Sequence, residues 1–220
     1  MLPITTDIKL QRIPVVTIFL CTICCMTFFI VAPRSAYDGV VPLDFIHTIL
    51  HPDNRLISSG ILVMTSFFLH GGLPHLLGNM WYLWLFGSRL EEIIGHRQFL
   101  TLYLVSGIIA LLSQIAKDPL SPIPIIGASG AIAGVMGMYF LVLPFSKISI
   151  GIPVLFSFRV YAGVFLLLWF WLQWKNVAAP HPSTNAVAWW AHIGGFCFGI
   201  LFGWSYRLFP PNRLLQKKKK

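Results

Sequence analysis

A single serine hydroxyl stands in the apolar, glycine-rich run IIGASGAIAGVMG, Ile125 to Gly137, with Gly127 two places before Ser129 and Gly130 directly after it. A serine is a poor nucleophile at neutral pH unless an imidazole within hydrogen-bond reach takes its proton as it attacks. One candidate imidazole, His192, lies in a second apolar run, WWAHIGGFCFG. A third run, HGGLPHLLGNMW, places His75 and Asn79 four residues apart, on one helical face and about one turn from each other. Acyl transfer at Ser129 would also need donors aimed at the developing oxyanion. The Ser129 amide, near a helix start where such groups lack intrahelical partners, is one candidate, and the side chains of His75 and Asn79 are the others. Each residue taken singly has a plainer reading. A serine in an apolar helix bonds back to a carbonyl one turn earlier, and a lone His or Asn is polar glue between helices. GASG is also not the nucleophile elbow of the α/β hydrolases, because no strand precedes it.

The elements that must position these residues follow from composition. Of the 220 residues, 56% are hydrophobic and only 10% charged, more apolar material than a soluble domain of this length could hide from water. The reading is an integral, all-α membrane protein, because chains crossing lipid must satisfy their backbone internally. Six candidate spans appear, at about Ile13–Val31, Leu73–Phe86, Phe99–Ala116, Ile126–Val142, Val160–Trp174 and Val187–Trp204. The connection Pro33 to Gly72 contains a further apolar run, Ile61 to Leu69, that falls far short of the roughly 20 residues a span requires and reads as interfacial or re-entrant. Residues 1–12 are then a cytoplasmic N-terminus, 13–208 one transmembrane domain and 209–220 a basic cytoplasmic tail. The first span is longer than a signal peptide's apolar core and lacks a small-residue cleavage site, so it reads as an anchor.

The formal charge of +9 does not imply nucleic acid, since the basic residues flank the spans instead of forming a patch interleaved with aromatics. The terminal KKKK suits anionic headgroups of the lipid bilayer and equally reads as a solvated end. With the N-terminus inside, twelve of the sixteen basic residues fall on the cytoplasmic side, leaving only Arg34, Arg55, Lys117 and Lys175 outside, which satisfies the positive-inside rule. Cys21, Cys24, Cys25 and Cys197 lie in apolar spans as small hydrophobes, so neither a disulfide framework nor a metal site is implied.

Orientation gathers the polar residues. The second, fourth and sixth spans run inward, so His75, Asn79, Ser129 and His192 all fall in the first turn or two below the outer surface, at similar depth. His192, Gly195, Gly199 and Gly203 form a stripe of small residues, and Gly130, Ala133, Gly134 and Gly137 form another. If the two stripes pack, Ser129 and His192 become neighbours. None of the seven acidic residues lies inside a span, and only Asp118 falls near the outer end, so a Ser–His dyad is expected instead of a triad.

With these pieces in hand, the sequence resembles the rhomboid family of intramembrane serine proteases. The matching motifs are HGGLPHLLGN (His70, His75, Asn79), GASGAIAG (Gly127, Ser129, Gly130, Gly134) and AHIGGFCFG (Ala191, His192, Gly195, Gly199), in the family's order, over about Leu62 to Gly203. The resemblance implies a six-transmembrane-helix bundle with a partly membrane-embedded first loop. It also implies a catalytic pair of Ser129 and His192, and an oxyanion site made of the Ser129 amide, His75 and Asn79. The activity it implies is hydrolysis of a peptide bond in or near a transmembrane segment of another membrane protein, where small or helix-weakening residues let the strand unwind, with no metal or cofactor. Ile61 and Leu62 stand where many members carry a Trp-Arg pair, leaving the anchoring of the first loop open. Ala133 stands where some members stack an aromatic residue on the histidine, so helix packing is expected to hold His192.

Phe67, Phe68, Trp189 and Trp190 are candidate gate or lid residues, against the plainer reading of interfacial anchors. The competing functional classes are a catalytically silent, rhomboid-like binder of client transmembrane helices and a small channel or transporter. The first typically lacks the serine or the histidine, whereas this chain has both; the second is disfavoured because the inner half of the spans is dry. The compact form with short loops suggests a bacterial inner membrane, with the site facing outward.

Overall fold

The computed structural model describes residues 2–31, 39–50, 56–152, 156–178 and 187–208. The basic tail inferred from residue 209 onward lies outside this set. Pro14 precedes α1 (Val15–Val31), whose first turn is closed by a carboxylate from far along the chain. Glu91 accepts the Val16 and Thr17 amides at 2.8 Å each and the Thr17 hydroxyl at 2.6 Å, and also contacts the His96 imidazole. A buried carboxylate is tolerable only when so fully bonded, and here it supplies a helix start with the acceptors that helix lacks.

Two short helices, α2 (Pro42–Leu50) and α3 (Leu56–Ser66), form the first loop. The expected interfacial segment from Ile61 to Leu69 is therefore helical as far as Ser66. Leu62 and Val63 pack on a small core of Val40, Leu111 and Ile115, while Val40 and Ile125 exchange backbone hydrogen bonds at 2.9 and 3.1 Å. Apolar packing and a two-residue bridge thus anchor the loop that lacks a Trp-Arg pair. Phe67 is buried against Gly107, where a Cβ would press on its ring, so it is a core residue and not a gate.

The second expected span is longer than the sequence suggests. After α4 (Leu73–Tyr82) comes a π-helical turn, Leu83–Gly87, and then α5 (Ser88–Ile94). Gly95, at φ +85°, stops the run in a conformation that favours glycine and lets α6 (His96–Lys117) start at once. α7 (Ser129–Val142) lies at the centre, with ten of its fourteen residues buried. α8 (Ala162–Ala178) and α9 (Trp189–Leu208) complete the helices.

Two features depart from an all-α reading of six uniform spans. The first is a three-stranded antiparallel sheet, in the order β1 (Leu2–Thr6), β2 (Lys147–Ile152), β3 (Phe156–Tyr161). Val160 and Tyr161, placed at the head of the fifth span, are the end of β3, because this segment satisfies its backbone by pairing with β2, which in turn pairs with β1, and not by coiling. The second is span length. Among the described helices only α6 is both long and apolar enough to cross the hydrocarbon core by itself. α7, at fourteen residues, rises about 21 Å, well short of a core of about 30 Å. Other helices surround it, so protein and not lipid sets its length. The molecule's exterior is nonetheless apolar: Phe19, Leu112, Leu168, Trp171, Leu201 and Trp204 are all exposed. Contiguous exposed apolar surface of this kind marks contact with lipid.

The two small-residue stripes pack as expected. A Cβ at Gly195 would collide with the Gly130 carbonyl, one at Gly199 with the Gly134 carbonyl, and one at Gly137 with the Phe196 carbonyl. Backbone meets backbone at these three positions, while Gly203, further along α9, faces the Leu141 and Met138 side chains. Gly199→Ala is therefore expected to destabilise the protein by about 1–3 kcal/mol through overpacking. Gly60→Ala, which meets nothing within 4 Å, should be near neutral. Thermal unfolding in detergent of the two variants beside the unsubstituted protein checks the contrast.

Candidate active site

The packing of α7 on α9 sets the central pair. Ser129 is the first residue of α7, and His192 lies in the first turn of α9; with Gly130 and Gly134 seated on Gly195 and Gly199, His192 Nε2 comes 2.9 Å from Ser129 Oγ. Both residues are half-buried, so the hydroxyl is accessible yet shielded. Within α7 the Ser129 amide has no carbonyl one turn earlier to bond, and it points out of the helix start along with its two successors.

His75 and Asn79 reach the same place from α4. Gly127 explains how. It sits at φ +110°, and a Cβ built on it would lie 2.9 Å from His75 Nε2 and 3.7 Å from Asn79 Nδ2. Only a glycine allows the chain to pass so close beneath both side chains, and the Gly127 amide is tied to the Ser66 carbonyl at 2.9 Å. The Asn79 side-chain nitrogen is buried with no hydrogen-bond partner. An unsatisfied buried donor carries a free-energy cost unless something else binds it, which is the state expected of a group kept for a transient anion. His75 leans edge-on against His70, with ring centroids 5.1 Å apart, and His70 Nδ1 donates to the Phe68 carbonyl at 3.1 Å.

All four residues, His75, Asn79, Ser129 and His192, line one cavity of about 970 Å³, which also takes in Trp169 and Met136. The arrangement places a hydroxyl, an imidazole and convergent hydrogen-bond donors around one space large enough for a peptide segment. Among the described residues no cluster of His, Cys, Asp or Glu has the makings of a metal site.

Two polar residues that the sequence reading passed over complete the site. His192 Nδ1 lies 2.9 Å from Gln173 Oε1, on α8, and the Gln173 amide nitrogen donates to the Trp169 carbonyl at 3.0 Å. Gln114, in the last turn of α6, accepts the Trp190 and Ala191 amides at 3.1 and 3.4 Å and so caps the helix that carries His192. Both glutamines lie toward the C-terminal ends of helices that end beside the site, α6 and α8, so polar residues at the depth of His192 on those helices are the sequence signal that points to them. Asp118, the one acidic residue expected nearby, is exposed at the end of α6 and plays no part at His192. Nor does helix packing alone hold the imidazole in the absence of an aromatic at position 133. The Trp169 and Trp189 rings flank it, each with its centroid 5.9 Å away, in addition to the Gln173 bond. Trp190 packs on Trp174 and lies under the Lys117 ammonium.

Comparison with known proteins agrees with the resemblance. A family model described as Rhomboid domain matches residues 59–209. The chain is 33% identical over 152 residues to Rhomboid protein 1, mitochondrial, of Saccharomyces cerevisiae, covering 67% of this chain and 42% of that protein. It is 31% identical over 171 residues to human Presenilin-associated rhomboid-like protein, mitochondrial, covering 74% of this chain and 42% of that protein. A shorter match, 38% over 89 residues, covers 40% of this chain and 44% of Putative rhomboid protease YdcA of Bacillus subtilis. The chain thus spans about two fifths of the length of these relatives.

Gly127→Ala is expected to strain the backbone and push His75 aside, lowering stability by about 1–2 kcal/mol. Gly71→Ala, whose Cβ would find its nearest neighbour at an ordinary 3.5 Å, should not. Thermal unfolding of the pair measures the difference.

Proposed function

This chain belongs to the rhomboid family, and on that premise we propose that it is an intramembrane serine endopeptidase that cleaves transmembrane protein substrates in or near their membrane-spanning segments. The observation that carries the reading is the 2.9 Å contact between Ser129 Oγ and His192 Nε2, at a helix start and in a shared cavity with His75 and Asn79.

In this reading Ser129 Oγ attacks the scissile carbonyl carbon while its proton passes to His192 Nε2. The carbonyl oxygen becomes an oxyanion and is received by the Ser129 amide and the side chains of His75 and Asn79. Collapse breaks the C–N bond, and His192 returns the proton to the leaving amine. Water, deprotonated by the same imidazole, then cleaves the Ser129 ester and regenerates the hydroxyl. None of these steps calls for a metal or a cofactor.

The bundle we propose crosses the membrane six times, by α1, α4 with α5, α6, α7, α8 and α9, with the α2–α3 loop embedded in the outer leaflet. Both termini are cytoplasmic. The charge distribution supports this orientation, since Lys9, Arg12, Arg89, Arg97, Lys147, Arg159 and Arg207 lie toward the end opposite Ser129. The short α7 supports a site below the surface, because a helix about 9 Å shorter than the hydrocarbon core begins inside it when its far end reaches the inner face. The compartment we assign is a bacterial inner membrane, with the cavity open to the outer side. Gln114 and Gln173, which fix His192 from two other helices, favour catalysis over passive binding of client helices, for which an oriented base has no use.

Ser129→Ala and His192→Ala should each abolish cleavage of a single-span substrate in proteoliposomes while leaving thermal unfolding unchanged; wild-type turnover by either variant would defeat the proposal. A fluorophosphonate probe should label Ser129 in the unsubstituted chain and nothing in Ser129→Ala. Asn79→Ala should lower kcat by about 100- to 1,000-fold with KM unchanged, because the donor meets its acceptor only once the oxyanion forms.

A further inference from the structure

His192 has a second partner, and its chemistry determines which nitrogen carries the imidazole proton. Gln173 is buried, and its amide lies between the Trp169 carbonyl at 3.0 Å and His192 Nδ1 at 2.9 Å. A carbonyl oxygen only accepts, so the amide NH2 faces Trp169 and Oε1 faces His192. An amide oxygen also only accepts, so Nδ1 carries the hydrogen. In the neutral ring Nε2 is then left with its lone pair directed at Ser129 Oγ. The Trp169 carbonyl therefore determines the protonation pattern of His192 through one intervening side chain. Trp169 also contributes its ring to one face of the imidazole, so a single helical turn of α8, from Trp169 to Gln173, both aligns the ring and selects its tautomer.

We propose that Gln173 is a positioning residue that holds His192 as the Nδ1–H tautomer, the form able to take the Ser129 proton, in the role a carboxylate fills in a catalytic triad. This deepens the protease reading and rests on it for its kinetic consequence, although not for the tautomer itself. A carboxylate at this place would be a buried ionised group with one side facing the Trp169 carbonyl, another acceptor. The neutral amide meets both neighbours with the right polarity and leaves no unpaired charge in the membrane.

The test uses the full chain in detergent micelles, with 15N-labelled histidine. The seven histidines are resolved by comparison with His192→Ala. Unsubstituted protein should show His192 protonated at Nδ1 and bare at Nε2. Gln173→Met keeps the unbranched shape without the amide acceptor. It should shift His192 to mixed tautomers, lower kcat by about 10- to 100-fold with KM unchanged, and slow fluorophosphonate labelling by a similar factor. Gln173→Leu serves as a second apolar variant should Gln173→Met unfold. Gln173→Glu retains an oxygen for Nδ1–H and, when protonated, an O–H for Trp169. It should restore the Nδ1–H tautomer and most of the lost kcat.

A residue that merely fills space predicts the opposite ranking, with Met or Leu tolerated and Glu the more damaging. That ranking, or an Nε2–H tautomer in the unsubstituted protein, overturns the proposal. An unsubstituted protein that neither cleaves nor labels, yet holds the Nδ1–H tautomer that Gln173→Met destroys, would sink the protease reading and leave the role of Gln173 standing.

Discussion

The closeness of two helix backbones, α7 and α9, is the constraint on which the site depends. Between helices in lipid there is no hydrophobic driving force of the kind that assembles a soluble core, so contact must come from packing and polar bonds. Gly130, Gly134 and Gly137 on one helix and Gly195 and Gly199 on the other leave no side chain at the points of closest approach, where backbone carbonyls set the limit. The same contact sets register. A slip of one turn moves one helix past the other by about 5.4 Å, more than enough to break a 2.9 Å hydroxyl–imidazole bond. Because the steric limits are backbone carbonyls and not flexible side chains, the two helices have little room to settle elsewhere.

Electrostatics divides the molecule into two ends. At the end with β1 and α5, a buried carboxylate, Glu91, is fully engaged by two amides, a hydroxyl and an imidazole and holds the start of α1. At the end with Ser129, the polar side chains facing the cavity are the imidazoles of His75 and His192, the Asn79 carboxamide, the Ser129 hydroxyl and the Tyr82 phenol, and the residue behind His192 is a glutamine. A neutral set is far less expensive to desolvate than an ionised one. It also leaves the Asn79 side-chain nitrogen unpaired, a polarity in reserve that a charged residue could not hold so deep without finding a partner.

The loop between α1 and α4 bears on the site from outside. α3 rests on α6 through Leu62 and Val63, the Phe67 ring fills the space left by Gly107, and the Ser66 carbonyl takes the Gly127 amide. Gly127 in turn fits beneath His75 and Asn79. A chain of ordinary packing thus leads from the loop to the glycine two residues ahead of Ser129, and no Trp-Arg pair is needed to make it.

Much of this was legible from residue order. The membrane class follows from how much apolar material the chain carries; Ser129, His192, His75 and Asn79 stand out because polar groups in apolar runs are costly; and the stripes at Gly130 and Gly195 follow from helical spacing. These are local or additive properties that survive without coordinates. The π-helical turn at Leu83, the sheet that claims Val160, and the parts played by Gln114 and Gln173 were not legible in the same way. Val160 pairs locally, with Ile148, but β2 also pairs with β1, which joins residues more than a hundred positions apart, as Thr5 and Ser149 are. Whether a glutamine near a helix end faces lipid or a neighbour depends on the rotation of that helix about its own axis, which composition and depth leave free. The residues available for catalysis were determined along one dimension. Which nitrogen of His192 faces Ser129 was decided only when α8 turned Gln173 inward, because a hydrogen bond needs both distance and direction and the folded chain alone supplies them.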